Sequence, residues 1–230
     1  MKPLVALALD VPDGASAVEY VRQTKERVDV FKVGLQLFCA EGPTVLDAVR
    51  SAGARAIFLD LKLHDIPNTV VGAIQSLRRC GVEYLTVHVD GGRTMLREAV
   101  KAAGADGHKL LGVTVLTSLD APDLDELCVT ASPAGVVLAR ARVARAAGVP
   151  GLVCSPNEVA TLRAELGPEP FLVTPGIRLS PGGADDQRRV ATPADAAAAG
   201  ASMLVVGRAV TAASDPLAAL DAIHAAMTGP

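Results

Sequence analysis

The 230-residue chain contains no tryptophan, two tyrosines and four phenylalanines. Its core must therefore be filled by aliphatic side chains, and half of the residues are hydrophobic. Ala, Val and Leu supply most of them, a composition that suits packed helices and buried parallel strands. Cysteine is sparse too: Cys39, Cys80, Cys128 and Cys154 stand far apart, with neither a Cys-x-x-Cys pair nor a Cys/His zinc spacing. Buried free thiols are the expectation. No apolar run is long enough to span a bilayer, and the run at 4–9 is too short for a signal peptide and meets a charge at Asp10. A cytoplasmic, reducing location follows as the default, with no membrane partner. The formal charge is -3 and the Lys and Arg residues are scattered, so there is no basic stripe for a nucleic-acid backbone. Nucleic-acid partners are discounted.

What is present is a recurring unit. An amphipathic stretch ends in Ala/Cys-Gly-Ala/Val, and a short apolar run follows within a few residues. The glycines are Gly53, Gly81, Gly104, Gly148 and Gly200, each read as a helix stop because glycine tolerates the left-handed conformation that ends a helix. The apolar runs are 4–9, 30–33, 56–61, 84–87, 110–116, 152–154, 171–173 and 203–206. They are continuous rather than alternating, as expected of strands buried on both faces, and helix-length segments separate nearly all of them. Eight β-then-α units predict an α/β fold, a (β/α)8 TIM barrel spanning 1–230 as a single domain. No Gly-x-Gly-x-x-Gly follows the first run, which argues against an open dinucleotide-binding sheet. Two connections are longer than the unit requires. The stretch 120–132 is acidic, and 178–189 is rich in Gly, Pro and Asp. The second is expected to be a mobile lid.

Catalytic groups in such barrels stand at the C-terminal ends of strands, and here those ends are polar. Asp10 closes the first run, Lys32 lies in the second, and the third continues Asp60-Leu61-Lys62-Leu63-His64-Asp65. Residues two apart on a strand share a side, so Asp60 and Lys62 should face the barrel mouth while Leu61 faces the helices. The plain alternative is a structural ion-pair network plugging the barrel. Buried pairs stabilise weakly, however, so two lysines and an aspartate on adjacent strand ends favour chemistry. Asp65, before Ile66-Pro67, is equally readable as a helix cap or as a functional carboxylate. Asp10 is either a turn residue or part of the site. His64 and His88 read as structural, without metal-ligand spacing to His108 or His224. After the eighth run, Gly207-Arg208 is placed to hold a phosphate, with a helix end as the alternative. Arg178 and Gln187 are positioned to close over it, and Arg188 and Arg189 are as readily solvated surface.

At these residues the chain closely resembles the orotidine 5′-phosphate decarboxylase family. The block Asp60-Leu61-Lys62-Leu63-His64-Asp65-Ile66-Pro67-Asn68-Thr69 resembles its signature. Leu9-Asp10, Phe31-Lys32-Val33-Gly34, Val113-Thr114-Val115-Leu116-Thr117-Ser118, Thr174-Pro175-Gly176-Ile177-Arg178, Gln187 and Val206-Gly207-Arg208-Ala209 look like its other motifs, in order. The resemblance covers essentially the whole chain. It implies decarboxylation of orotidine 5′-monophosphate to UMP without metal or cofactor, in a homodimer with shared sites. Asp10 and Lys32 would hold the ribose hydroxyls, Asp60 would face the substrate carboxylate, and Lys62 would donate the proton. Asp65 and Thr69 would reach into the partner's site, and Ile66 and Pro175 would join the substrate-binding set. Thr117 and Ser118 would contact the pyrimidine, while Arg178, Gln187, Gly207 and Arg208 would hold the phosphate end.

Two other readings compete. Magnesium-dependent sugar-phosphate decarboxylases and aldolases share Asp-x-Lys-x-x-Asp but carry an acid on the second strand, where this chain has Lys32. A non-catalytic nucleotide-binding barrel would not need the alternating charges, and a sensor would be expected to carry interaction segments beyond the barrel units.

Overall fold

The computed structural model describes residues 2–105, 107–179 and 189–228. Eight strands pair in sequence order and close into a barrel, with the last strand beside the first. They are β1 (Leu4–Ala8), β2 (Val30–Gly34), β3 (Ile57–Leu63), β4 (Tyr84–His88), β5 (Lys109–Val113), β6 (Gly151–Val153), β7 (Phe171–Thr174) and β8 (Met203–Val206). Every pairing is parallel. Each crossover therefore carries at least one helix, and together the helices form the outer layer. The (β/α)8 barrel expected from the eight runs is the architecture found. Among the described residues no helix is long and apolar enough to cross a membrane.

The five punctuating glycines all have positive φ: Gly53 at 117°, Gly81 at 62°, Gly104 at 71°, Gly148 at 87° and Gly200 at 95°. Each stands between a helix and the strand that follows. A side chain there would have to sit in a backbone conformation that L-residues avoid.

The core has two parts. The larger joins outward-facing strand residues such as Leu7, Val33 and Leu85 to helix residues such as Val21, Ile74 and Leu96. The smaller contains strand residues alone, Ala6, Ala8, Val30, Phe58, Leu111, Val173, Met203 and Val205, and fills the barrel interior. The scarce aromatics concentrate there. Phe58 meets Tyr84 edge-on at 6.3 Å, and Tyr84 stacks on Phe171 at 5.6 Å. Lys109 sets its ammonium 4.5 Å from the Phe171 ring centre. Tyr84, Lys109 and Phe171 begin their strands, so this group closes the barrel at the end opposite the polar strand termini.

The expectation of uniformly buried thiols is corrected. All four cysteines are free, but only Cys154 is buried, while Cys39 and Cys128 are exposed and Cys80 is intermediate. Cys39 lies on the short helix Leu35–Glu41, where only Leu37 is buried. Cys128 follows the helix Ala121–Glu126 in the acidic insert, at φ 60°.

Close packing makes one small residue critical. A Cβ at Gly151 would lie 2.5 Å from Leu111 Cδ2 and 2.9 Å from the Phe171 carbonyl oxygen. Gly151→Ala is expected to lower stability by about 1–3 kcal/mol, read as a lower urea midpoint at unchanged m-value.

Candidate active site

The polar strand ends converge on one cavity of about 510 Å³, a size usual for small-molecule sites. Asp10, Lys32, Asp60 and Lys62 line it, together with Thr117, Pro175, Arg178, Gly207 and Arg208. Its floor is Phe58, the top of the aromatic group that closes the barrel.

Four charges form a chain of alternating sign. Lys32 Nζ lies 2.9 Å from Asp10 Oδ1 and 3.8 Å from Asp60 Oδ2. Lys62 Nζ lies 3.0 Å from each Asp60 oxygen. Lys32 and Asp60 are largely buried, with side chains 9% and 13% exposed, whereas Asp10 is open at 58%. Burial pushes the Asp60 carboxyl up, but Lys32, Lys62 and hydrogen bonds from Lys62 and Thr86 outweigh it and hold the group below the ordinary carboxylate range. Asp60 is thus an anion kept charged by its neighbours.

Local backbone explains how these side chains meet. Gly34 leaves room for the first pair: a Cβ there would stand 3.0 Å from both Asp10 Oδ1 and Lys32 Nζ. On β3, Asp60 and Lys62 both point into the cavity, and Leu61 packs with the helix-side core, as strand alternation predicts. The strand is not regular, however. Its register with β4 runs Leu59 to Leu85 and then Leu63 to Val87, and Lys62 adopts φ 50°. Thr86, fully buried on β4, donates to Asp60 Oδ1 at 3.0 Å and accepts the Lys62 backbone N–H at 2.8 Å. It sits inside an apolar run, where the sequence carries no signal for it.

Other expected residues lie elsewhere. Asp65, Ile66 and Thr69 are exposed and outside this cavity, as is Ser118. Asp65 accepts a 2.6 Å hydrogen bond from the Ile66 N–H. The helix Pro67–Leu77 begins after Ile66 without a side-chain cap, so the capping alternative for Asp65 is not the arrangement found. Gln187, Arg188 and nearly all of the expected lid at 178–189 fall outside the described residues. Its two ends are joined, since Arg178 N–H donates to the Ala191 carbonyl at 3.0 Å and Ala191 N–H to that of Gly176 at 3.2 Å. Arg189 is not solvated surface: it pairs with the buried Glu158 and donates to the Leu116 carbonyl at 2.9 Å. His64 and His88 stack at 5.2 Å beside the site without lining it. His88 is held below the usual histidine range, chiefly by burial, against the pull of Asp90. Asp90 also receives Arg140 at 2.6 Å.

Fold and cavity together define a β/α-barrel enzyme that works at the C-terminal mouth of its strands. The profile of the orotidine 5'-phosphate decarboxylase / HUMPS family matches residues 3–223, and the chain belongs to that family; it is an enzyme, a carboxy-lyase. An orotidine 5'-phosphate decarboxylase of Anaeromyxobacter sp. (strain K) is 50% identical over 229 residues, covering 99% of this chain and 100% of that protein. One from Thermobifida fusca is 47% identical over 221 residues, covering 96% and 94%. The crystal structure of orotidine 5'-phosphate decarboxylase from Lactobacillus acidophilus superposes with a TM-score of 0.85 at 35% identity, covering 100% of both chains.

The depressed Asp60 carboxyl carries a stability signature. An unfolded aspartate titrates near about 3.9, so the stabilisation from ionised Asp60 is complete above that value and is lost as pH falls through the lower folded pKa. Asp60→Asn is expected to destabilise at pH 7 by leaving two ammonium groups without their shared anion. Urea unfolding across a pH series should show that difference shrinking below about pH 4.

Proposed function

We propose that the protein decarboxylates orotidine 5′-monophosphate to UMP and CO₂ without metal or cofactor, through a C6 carbanion stabilised and protonated by Lys62. The observation that carries this reading is the alternating chain from Asp10 to Lys62 in the same cavity as Arg208.

The reaction breaks the bond between C6 and the carboxylate carbon, leaving the electron pair on C6 as CO₂ departs. No adjacent π-system absorbs that pair, so charge stabilisation must come from the protein. Asp60 beside the departing carboxylate raises the ground state; at ~4 Å and an effective dielectric of ~20 the repulsion is roughly 4 kcal/mol. Enhancing a very slow reaction requires on the order of 20 kcal/mol, so repulsion is the lesser contribution. The larger one is the fixed Lys62 ammonium, already oriented where negative charge develops and ready to hand its proton to C6. Its Nζ stands against both Asp60 oxygens, the position from which a carbanion beside Asp60 would be met. Catalysis by Lys62 then needs no water to reorganise.

The remaining roles follow the charges and the cavity. Asp10 and Lys32 hold ribose hydroxyls, Thr117 contacts the pyrimidine and Pro175 adds wall, while Ser118, outside the cavity, is assigned to the pyrimidine by the family resemblance alone. Arg178, Gln187, Gly207 and Arg208 hold the phosphate, whose binding energy at a distance from C6 assembles the site. Asp65, Ile66 and Thr69 act in the site of a second copy of the chain, making a homodimer with shared sites. Their exposure supports this, above all Ile66, an apolar side chain 68% open beside the mouth. The magnesium-dependent alternative is disfavoured by Lys32, whose ammonium occupies the place an acidic ligand would need.

A spectrophotometric assay for loss of orotidine 5′-monophosphate, run with a chelator present, tests the reading. Wild type should turn over in chelator, and Lys62→Ala should lose at least about 10³-fold in kcat. Equal rates for the two would end the proposal, and dependence on magnesium would favour the alternative. Arg208→Ala is expected to lower kcat/KM about 10- to 100-fold by removing a charged grip on phosphate, and competition by inorganic phosphate should weaken in parallel.

A further inference from the structure

Where β3 departs from regular pairing, Asp60, Leu61 and Lys62 stand opposite one residue of β4, because Leu59 pairs with Leu85 and Leu63 with Val87. That residue is Thr86. A ladder cannot continue across such a mismatch, and the Lys62 N–H loses its place in it. Left unpaired in the barrel wall, that group would destabilise the very turn that aims the lysine. Thr86 Oγ1 accepts it at 2.8 Å.

The same oxygen lies 3.0 Å from Asp60 Oδ1. Hydrogen-bond chemistry fixes both directions. An amide N–H only donates, so the hydroxyl accepts there; an ionised carboxylate only accepts, so the single hydroxyl proton goes to Asp60. One buried hydroxyl therefore serves the backbone of Lys62 and the carboxylate of Asp60 together. Lys62 sits at φ 50°, a conformation that a residue with a Cβ keeps only when its surroundings hold it there.

We infer that Thr86 is a positioning residue for the decarboxylation: it locks the left-handed bulge that aims Lys62 and orients the Asp60 carboxylate between the two lysines. The inference rests on the proposed function for its catalytic consequence. Thr86 touches no substrate, since it is fully buried and does not line the cavity. It acts through its two partners. Oδ1 of Asp60 is held by the hydroxyl, which leaves Oδ2 turned toward Lys32 at 3.8 Å while both oxygens face Lys62. Losing the hydroxyl frees the carboxylate to rotate and removes a donor that favours its ionised form.

Thr86→Val, nearly equal in shape but without donor or acceptor, is expected to lower kcat about 10- to 100-fold with KM changed less than about threefold. Thr86→Ser keeps the hydroxyl and should recover kcat to within about fivefold of wild type. In ¹³C NMR of aspartate-labelled protein, with the Asp60 signal assigned by its loss in Asp60→Asn, the carboxyl titration should move to higher pH in the Val variant and not in the Ser variant. Wild-type kcat in folded Thr86→Val overturns the inference. Equal impairment of the Ser and Val variants also overturns it, because the γ-methyl packing would then be what matters. Should Thr86→Val fail to fold, Thr86→Cys replaces it: the poorly bonding thiol should lower kcat with KM held, and full kcat there overturns the proposal. If wild type does not decarboxylate orotidine 5′-monophosphate, the functional reading falls by itself. The NMR titration then still decides whether Thr86 controls Asp60.

Discussion

Like charges cannot share a dry wall unless opposite ones stand between them. In this protein Asp60 is that intermediate: removed, it would leave Lys32 and Lys62 facing each other in a partly dehydrated pocket. Present, it is held ionised by both lysines against the pull of its own burial. The order Asp10, Lys32, Asp60, Lys62 therefore has a reason beyond catalysis. Each member lowers the electrostatic cost of the next, and the assembly stands ready before any ligand arrives. Buried charge arrays stabilise folding only modestly in general, because desolvation offsets the attraction.

The barrel makes that assembly possible through parallel strands with a shared direction. Because all eight run the same way, every inward column ends on the same side, and β1, β2 and β3 finish next to one another. Apolar side chains fill the lower columns, as Ala6 and Ala8 precede Asp10, Val30 precedes Lys32, and Phe58 precedes Asp60. Asp10, Lys32 and Asp60 thus rest on hydrophobic supports that also exclude water from beneath them, and Lys62 rests on Asp60. The helices do the complementary work outside, clamping the strands so that the inward columns hold their spacing.

Much of this was legible from residue types, and what was not has physical causes. Continuous apolar runs divided by helix-stopping glycines announce buried parallel strands, and the positive φ at Gly53, Gly81, Gly104, Gly148 and Gly200 is the geometry that the pattern implied. Strand limits were less visible. The run at 110–116 outlasts β5, which ends at Val113; just beyond it Arg140 takes the Thr114 carbonyl that a further ladder bond would use. β3 in contrast runs on to Leu63 through a bulge that simple alternation does not describe. Asp10, Lys32, Asp60, Lys62 and Arg208 stood out as charges at strand ends. Thr86 and Gly34 did not, since a small hydroxyl in an apolar run and one more glycine acquire meaning only from what lies 3 Å away. Ile66 and Thr69 were suggested by the motif alone and Asp65 was left open by its position, and none of the three lines the cavity.

The packed rings of Phe58, Tyr84 and Phe171, with Lys109 over the last, close one end of the barrel. The cavity lies at the other end, so a molecule that enters at the mouth leaves by the mouth, and the incoming one waits on the departing one. Arg178 lines that mouth, and its N–H is tied to the Ala191 carbonyl, so any traffic passes a fixed guanidinium-bearing residue on the way in and on the way out.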